Sequence, residues 1–187
     1  MQELSLHILD IIQNSIAALA DLISVEIEED KGKDSLIISI RDNGRGIPKE
    51  YLSQAVDPFY TSRQTRKVGL GLSLLQQAAV QSDGHLDISS EEGKGTEVLA
   101  FFKHSHIDRM PLGDIGKTMS VLIIGNPQID FAYHHRVEGN DFRFDTRSVR
   151  GELDGIPLND PYVIGFIFQE FEGWMTRRNG MLRGGRR

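Results

Sequence analysis

Apolar residues at Leu6, Leu9, Ile12, Ile16 and Leu19 recur at steps of three and four, with Ile8 beside them. His7, Asp10, Asn14 and Asp21 collect on the other side. A period near 3.6 puts each set on its own stripe, so the pattern predicts an amphipathic helix. The period then drops to two. Ile23, Val25 and Ile27 alternate with Ser24, Glu26 and Glu28; after the turn Asp30-Lys31-Gly32-Lys33, Leu36, Ile38 and Ile40 repeat the alternation. This predicts a β-hairpin. Pro48 suits the first position of a short helix reaching about residue 56. Residues 57–68 read as a loop, and Gly69-Leu70-Gly71 opens an apolar helix that Asp83-Gly84 stops. Strands at 85–89 and 96–102 complete the unit. The order predicts an α+β sandwich, with helices on one face of a mixed, mainly antiparallel sheet.

Pro111 and Gly113 interrupt a polar stretch, which places a domain boundary at residue 107. Residues 107–178 then read as a small α/β module of unassigned role: a helix over 114–124, a hairpin of 129–137 and 142–146, and a helix from Pro161 to about 178. The last helix carries Val163, Phe166, Ile167, Phe171 and Trp174; whatever its own hairpin leaves uncovered would mark a protein partner or a homodimer contact. Residues 179–187, rich in Arg and Gly, read as an unfolded tail.

Composition narrows the class. With 39% hydrophobic and 26% charged residues, the 187-residue chain is an ordinary globular sequence. Its net charge of -6 argues against general nucleic-acid binding. The absence of cysteine removes disulfides, thiolate metal sites and cysteine nucleophiles, and suits a reducing cytoplasm. Glu3, His7 and Asp10 break up the N-terminus, so no export signal is expected, and no apolar run is long enough to span a membrane.

Asp10 and Asn14 lie four apart on the polar side of the first helix and point the same way. An amide oxygen such as that of Asn14 is a hard ligand suited to Mg2+, and a carboxylate one turn away is placed to orient or deprotonate a nucleophile. Alone, the same pair is also what any solvated helix face carries. Asp42 ends a strand and can accept from an exocyclic amine, while Gly44 and Gly46 let backbone approach a ligand, although such turns are common. Gly69 and Gly71, just after Arg66 and Lys67, offer phosphates a helix N-terminus and cations; a lone G-x-G is equally an ordinary turn. His104, His106, His134 and His135 fall in two separated pairs without helical metal-ligand spacing and are read as ordinary polar residues.

The conjunction and order of these segments carry a resemblance. Residues 6–18 resemble the N box of the GHKL ATPases, and Asp42-Asn43-Gly44-Arg45-Gly46-Ile47-Pro48 resembles their G1 box. Asp57-Pro58-Phe59-Tyr60-Thr61-Ser62-Arg63 is similar to the F box of histidine kinases, and Gly69-Leu70-Gly71-Leu72-Ser73 to the G2 box. Gly93-Lys94-Gly95-Thr96 resembles the family's last conserved turn. Over residues 1–103 the resemblance implies the Bergerat fold, with ATP between the helices and one face of the sheet. It implies that Asn14 coordinates Mg2+ and that Asp42 holds the adenine amino group with support from Thr96. Gly44 and Gly46 would frame the base, and Lys67, Gly69 and Gly71, with Arg66, would meet phosphate under a short lid of residues 59–68.

Two departures from the kinase pattern shape the functional expectation. Asp10 is acidic where sensor kinases usually are not, and resembles the general base of the hydrolysing and serine-phosphorylating branches, one methylene shorter than the usual glutamate. Ala17 and Ala18 stand where a basic residue often follows the Asn. The chain starts on the N-box helix, so the dimerising helices and phosphoacceptor histidine of a sensor kinase are not expected. The sequence points to an Mg-ATP-binding ATPase or protein phosphotransferase acting on water or on a partner's Ser or Thr, with Asp10 as the candidate base. The alternatives are an ATP-sensing regulatory module and a histidine-kinase catalytic domain acting in trans. The chain also resembles short stand-alone ATP-binding proteins of anaerobic bacteria whose genes often sit beside redox genes, which suggests a redox-associated partner.

Overall fold

A computed structural model of the chain describes residues 3–52 and 70–184. The first amphipathic stretch forms helix α1 (Leu4–Ala17), and the hairpin forms strands β1 (Leu22–Asp30) and β2 (Ser35–Asp42). A short helix α2 (Lys49–Leu52) follows. Helix α3 (Leu70–Gln81) then leads into β3 (His85–Glu91) and β4 (Gly95–Lys103). The rest of the chain gives α4 (Ile115–Gly125), β5 (Asp130–Val137), β6 (Asn140–Asp145), α5 (Thr146–Glu152) and α6 (Pro161–Gly184).

All six strands belong to one sheet in the order β3-β4-β2-β1-β5-β6. Every neighbouring pair is antiparallel except β1 and β5, which run parallel with Ile23 beside Phe131 and Glu29 beside Val137. Alternation then decides the two faces. Ile23, Val25 and Ile27 of β1, Leu36, Ile38 and Ile40 of β2, and Phe131, Tyr133 and Val137 of β5 are buried on one face. α1 packs against both α3 and α4, and α4 packs against α6, so a helical layer in the order α3-α1-α4-α6 covers that face. This is the expected α+β sandwich of helices on one face of a mixed sheet.

The sequence break near residue 107 does not divide the sheet. β5 pairs along the length of β1, and the preceding segment is pinned to α1, whose free N–H groups at Leu4 and Ser5 donate to the carbonyls of Pro111 and Leu112 at 3.0 and 2.9 Å. The expected separate small module is therefore an extension of the first domain. The expected unfolded tail also needs correction, because α6 continues through Gly184. Met181 and Leu182 carry its apolar period onward against the core, and Lys31 Nζ donates to the Leu182 carbonyl at 2.6 Å, a cation at the helix C-terminus.

A buried polar cluster fastens α6 to the sheet. Glu29 continues the inward parity of β1 and is only 1% exposed. Arg178 of α6 grips both its oxygens, at 2.5 and 2.9 Å, and His135 Nε2 donates to Oε1 at 2.9 Å. Trp174 Nε1 donates to His135 Nδ1 at 2.9 Å, which fixes the neutral Nε2–H tautomer. Burial alone would raise the Glu29 carboxyl, but His104, His135 and Arg178 around it outweigh that and hold it far below the usual carboxylate range.

Candidate nucleotide site

The helix side of the sheet, at the end where β2 stops, gathers most of the residues singled out in the sequence. Asp42 is the last residue of β2 and lies opposite Thr96 in the β2–β4 register. Its inward parity buries the carboxylate to 8% exposure beneath α1. Oδ1 accepts from the N–H groups of Gly44 at 2.9 Å and Thr96 at 3.3 Å, and Oδ2 accepts from Ser15 Oγ at 2.7 Å. Two N–H donors occupy Oδ1. Oδ2 keeps one lone pair, so the carboxylate can accept one more donor, such as an exocyclic amine.

The turn after β2 is clamped from both sides. Asn43 Oδ1 accepts from the N–H groups of Asp21 and Leu22 at 3.1 and 3.0 Å, and Arg45 N–H donates to the carbonyl of Ala18 at the end of α1 at 2.9 Å. Ile47 N–H donates to Ser90 Oγ at 2.8 Å; Ser90 Oγ in turn lies 2.9 Å from Thr96 Oγ1. Gly46 has φ of 68°, and a Cβ there would stand 2.1 Å from the Glu91 carbonyl oxygen, so only glycine fits. Gly44 is approached less closely, by the Ala18 carbonyl oxygen, 2.8 Å from where a Cβ would be. Both glycines were expected to admit a ligand; here it is the protein's own backbone that first demands them.

α1 carries Asp10 and Asn14 on one stripe, Asp10 exposed and Asn14 half-buried. The Cβ of Asp10 is 2.9 Å from the point where a Cβ on Gly71 would sit, and Oδ2 is 3.7 Å from it. The structure thus brings the Asp10 carboxylate beside the first turn of α3. His7 shares the stripe and is buried, with Nε2 lacking a hydrogen-bond partner among the described residues. Burial pushes its imidazole below the ordinary value, and the nearby Asp10 charge pulls the other way. Lys67 and Gly69 lie outside the described residues, as do Arg66, the 57–63 segment and the expected lid.

Three residues of this end of the sheet are given no role by the sequence: Ser15, Asn43 and Ser90. Ser15 lies with Leu4, Ile8 and Ile11 on the buried face of α1, where a lone hydroxyl needs a partner; the expected stripe runs instead through Leu6 and Leu19, which are 50% and 83% exposed. The histidines hold structural places. His135 sits in the Glu29 cluster, His104 Nε2 approaches Glu29 Oε2 at 3.8 Å, and His134 Nε2 meets Asp141 Oδ1 at 3.0 Å. Among the described residues, no group of three or more His, Cys, Asp or Glu side chains is arranged to hold a metal ion. An Mg2+ at Asn14 would therefore take most of its oxygens from phosphate and water, which is how that ion usually binds. A depression of about 430 Å3 lies behind Asp42 on the open face of the sheet. Its Arg41 is paired with Glu97 at 3.3 Å and its Lys94 with Glu91 at 2.7 Å, which leaves no free cation there for phosphate among the described residues.

Comparison with known proteins gives the family: residues 2–106 match the histidine kinase-, DNA gyrase B- and HSP90-like ATPases, and the chain belongs to that family. It is 38% identical over 88 residues to sporulation kinase C of Bacillus subtilis, covering 47% of this chain and 20% of the kinase. It is 36% identical over 90 residues to the sensor histidine kinase ZraS of Salmonella typhimurium, covering 47% of this chain and 19% of that protein. The chain thus spans about one fifth of these curated relatives. Among solved structures, the N-terminal domain of a DNA repair protein superposes with a TM-score of 0.51 at 20% identity, covering 76% of this chain and 52% of that one. That likeness concerns the fold, and it extends beyond what residues 2–106 alone could fill. Among the described residues, no helix is long and apolar enough to cross a membrane.

Proposed function

We propose that the protein binds Mg-ATP on the helix side of Asp42 and passes the γ-phosphoryl group to water or to a Ser or Thr of a partner protein. In this reading Asp42 accepts the adenine amino group on its remaining lone pair, held in place by Ser15, Gly44 and Thr96. Gly44 and Gly46 frame the base. The first turn of α3 at Gly71, with Gly69 and Lys67, receives phosphate. Asn14 holds Mg2+, which when bound neutralises charge on the transferring phosphate. Asp10 orients the attacking hydroxyl and takes its proton as the new O–P bond forms and the bond to the β-phosphate oxygen breaks, releasing ADP.

The observation that carries this reading is the packing of Asp10 against Gly71, which leaves its carboxylate beside the first turn of α3. Phosphate release from Mg-ATP by the protein and by its Asp10→Asn variant tests it. Turnover present in the first and lost in the second supports Asp10 as base, and equal turnover removes it. The acceptor would be a cytoplasmic protein, redox-associated if the likeness to the stand-alone proteins holds.

Two further readings each rest on one observation. The buried link from β1 through Glu29 and Arg178 to α6 favours a nucleotide sensor, in which ATP binding is read out on the residues beyond 107. The two curated relatives are kinases by name, which favours a catalytic domain phosphorylating a histidine in trans. Bound ATP without turnover in either protein would favour both of these over hydrolysis; adding the partner then separates them.

A further inference from the structure

β6 ends the sheet with an open edge. Among the described residues, the backbone groups of Asp141 and Arg143 bond to nothing beyond the edge. The turn from β5 has two central residues, Glu138 and Gly139, both at positive φ (49° and 80°), the hairpin geometry in which the flanking pair Val137 and Asn140 is hydrogen-bonded. Alternation from that pair turns the N–H and C=O groups of Asp141 and Arg143 outward, away from β5.

The helix above the same edge is also uncovered. α6 lies over the seam between β5 and β6, since Phe171 touches the rings of both Tyr133 and Phe144. One flank of α6 meets α4, where a Cβ on Gly116 would come within 2.7 Å of Met175. The other flank presents Tyr162, 91% exposed, and Phe166, 46% exposed, and Phe166 lies 6.4 Å from the Phe144 ring of β6. An open strand edge and two exposed aromatic rings therefore line one side of the molecule.

We propose that this side binds a second copy of the chain, with the two β6 strands antiparallel about a two-fold axis at Phe142. Charge selects that partner and that register. Centring on Phe142 sets each Asp141 opposite Arg143 of the second copy, whereas centring on Arg143 would set like charges face to face. Arg143 is the freer of the two, its closest acid being Asp141 of its own strand at 3.7 Å. Spacing fits as well. Each α6 sits half a strand inside the new seam's neighbour, so the two helices would stand two strand spacings apart, about 10 Å, a normal helix-packing distance. Tyr162 and Phe166 fill the space between them.

The interface is independent of the nucleotide reading, and its test uses the full chain. Sedimentation across micromolar concentrations should show a reversible dimer, and the amide of Arg143 should exchange more slowly as the dimer forms. Arg143→Asp and Asp141→Lys should each be folded monomers, while an equimolar mixture of the two should dimerise, because both cross-strand pairs become opposite again. Phe166→Ser should weaken the dimer at least about tenfold. A chain that stays monomeric overturns the proposal. So does a dimer that survives both charge variants, or one in which exchange at Arg143 is unchanged.

Discussion

Ser15 Oγ donates a 2.7 Å hydrogen bond to Asp42 Oδ2, tying the last turn of the chain's first helix to the end of its second strand inside the core. The bond uses one lone pair of that oxygen and turns the other toward the space between α1 and the sheet. Ser15→Ala should therefore act on binding as well as on stability. We expect a loss of about 1 kcal/mol in each, the usual size of one neutral hydrogen bond, or roughly a fivefold weaker Mg-ATP complex. Calorimetric titration alongside urea unfolding checks both.

The Glu29–Arg178 pair predicts that the C-terminal residues are needed by the first domain. Arg178→Ala strands a buried carboxylate and should cost about 3–5 kcal/mol in chemical unfolding. Replacing both partners by Met should recover most of that loss, since the desolvated charge goes with the arginine. A chain cut after residue 106 should fail to give a cooperative unfolding transition.

Much of this was readable in the chain. The change of period at Leu22 marks the step from helix to hairpin, and the ordered boxes locate Asp10, Asn14, Asp42 and Thr96 at one end of the sheet. What could not be read is what depends on partners far away in sequence. The parallel pairing of β5 with β1 leaves no local mark, because each strand alone shows only alternation. Glu29 shows the limit well. Its parity with Ile23, Val25 and Ile27 puts it inside, but nothing nearby in sequence names Arg178 as the cation it needs. The tail was misread for the same reason: nothing nearby in sequence names Lys31 as the cation that meets the Leu182 carbonyl in the last turn of α6. α5 (Thr146–Glu152) is absent from the sequence reading because its seven residues carry no apolar stripe; Asp145 caps it by accepting from Arg147 N–H at 2.9 Å.

Two buried imidazoles predict how stability responds to acid. His7 and His135 are both held below the ordinary imidazole value, chiefly by burial. The unfolded chain takes up their protons first, at pH about 6.5, so their contribution is complete above that pH and is lost as pH falls below it. Stability should be flat from pH 8 to about 6.5 and then decline, by at most about 1.4 kcal/mol per pH unit for each histidine. His7→Leu should lessen the slope. Because it also removes an unpartnered buried nitrogen, it should stabilise the protein by about 1 kcal/mol at neutral pH. Urea melts at several pH values decide this.

Gly71→Ala isolates the contact between α3 and α1. The new methyl would meet Asp10 Cβ at 2.9 Å, which forces the two helices apart by a few tenths of an ångström. We expect a cost of about 1–3 kcal/mol from overpacking and a turnover loss larger than the loss of ATP affinity, since the adenine contacts at Asp42 are untouched. Single-turnover kinetics beside equilibrium titration separates the two.

The central claim is that Asp42 receives the nucleotide base. Titrating Mg-ATP into the protein and into its Asp42→Asn variant, with folding of the variant checked by its unfolding transition, tests that claim most directly. The account predicts binding to the first and a loss of at least about tenfold in the second, the size of a hydrogen bond to a charged acceptor. A folded variant that binds Mg-ATP as tightly as the parent would contradict it.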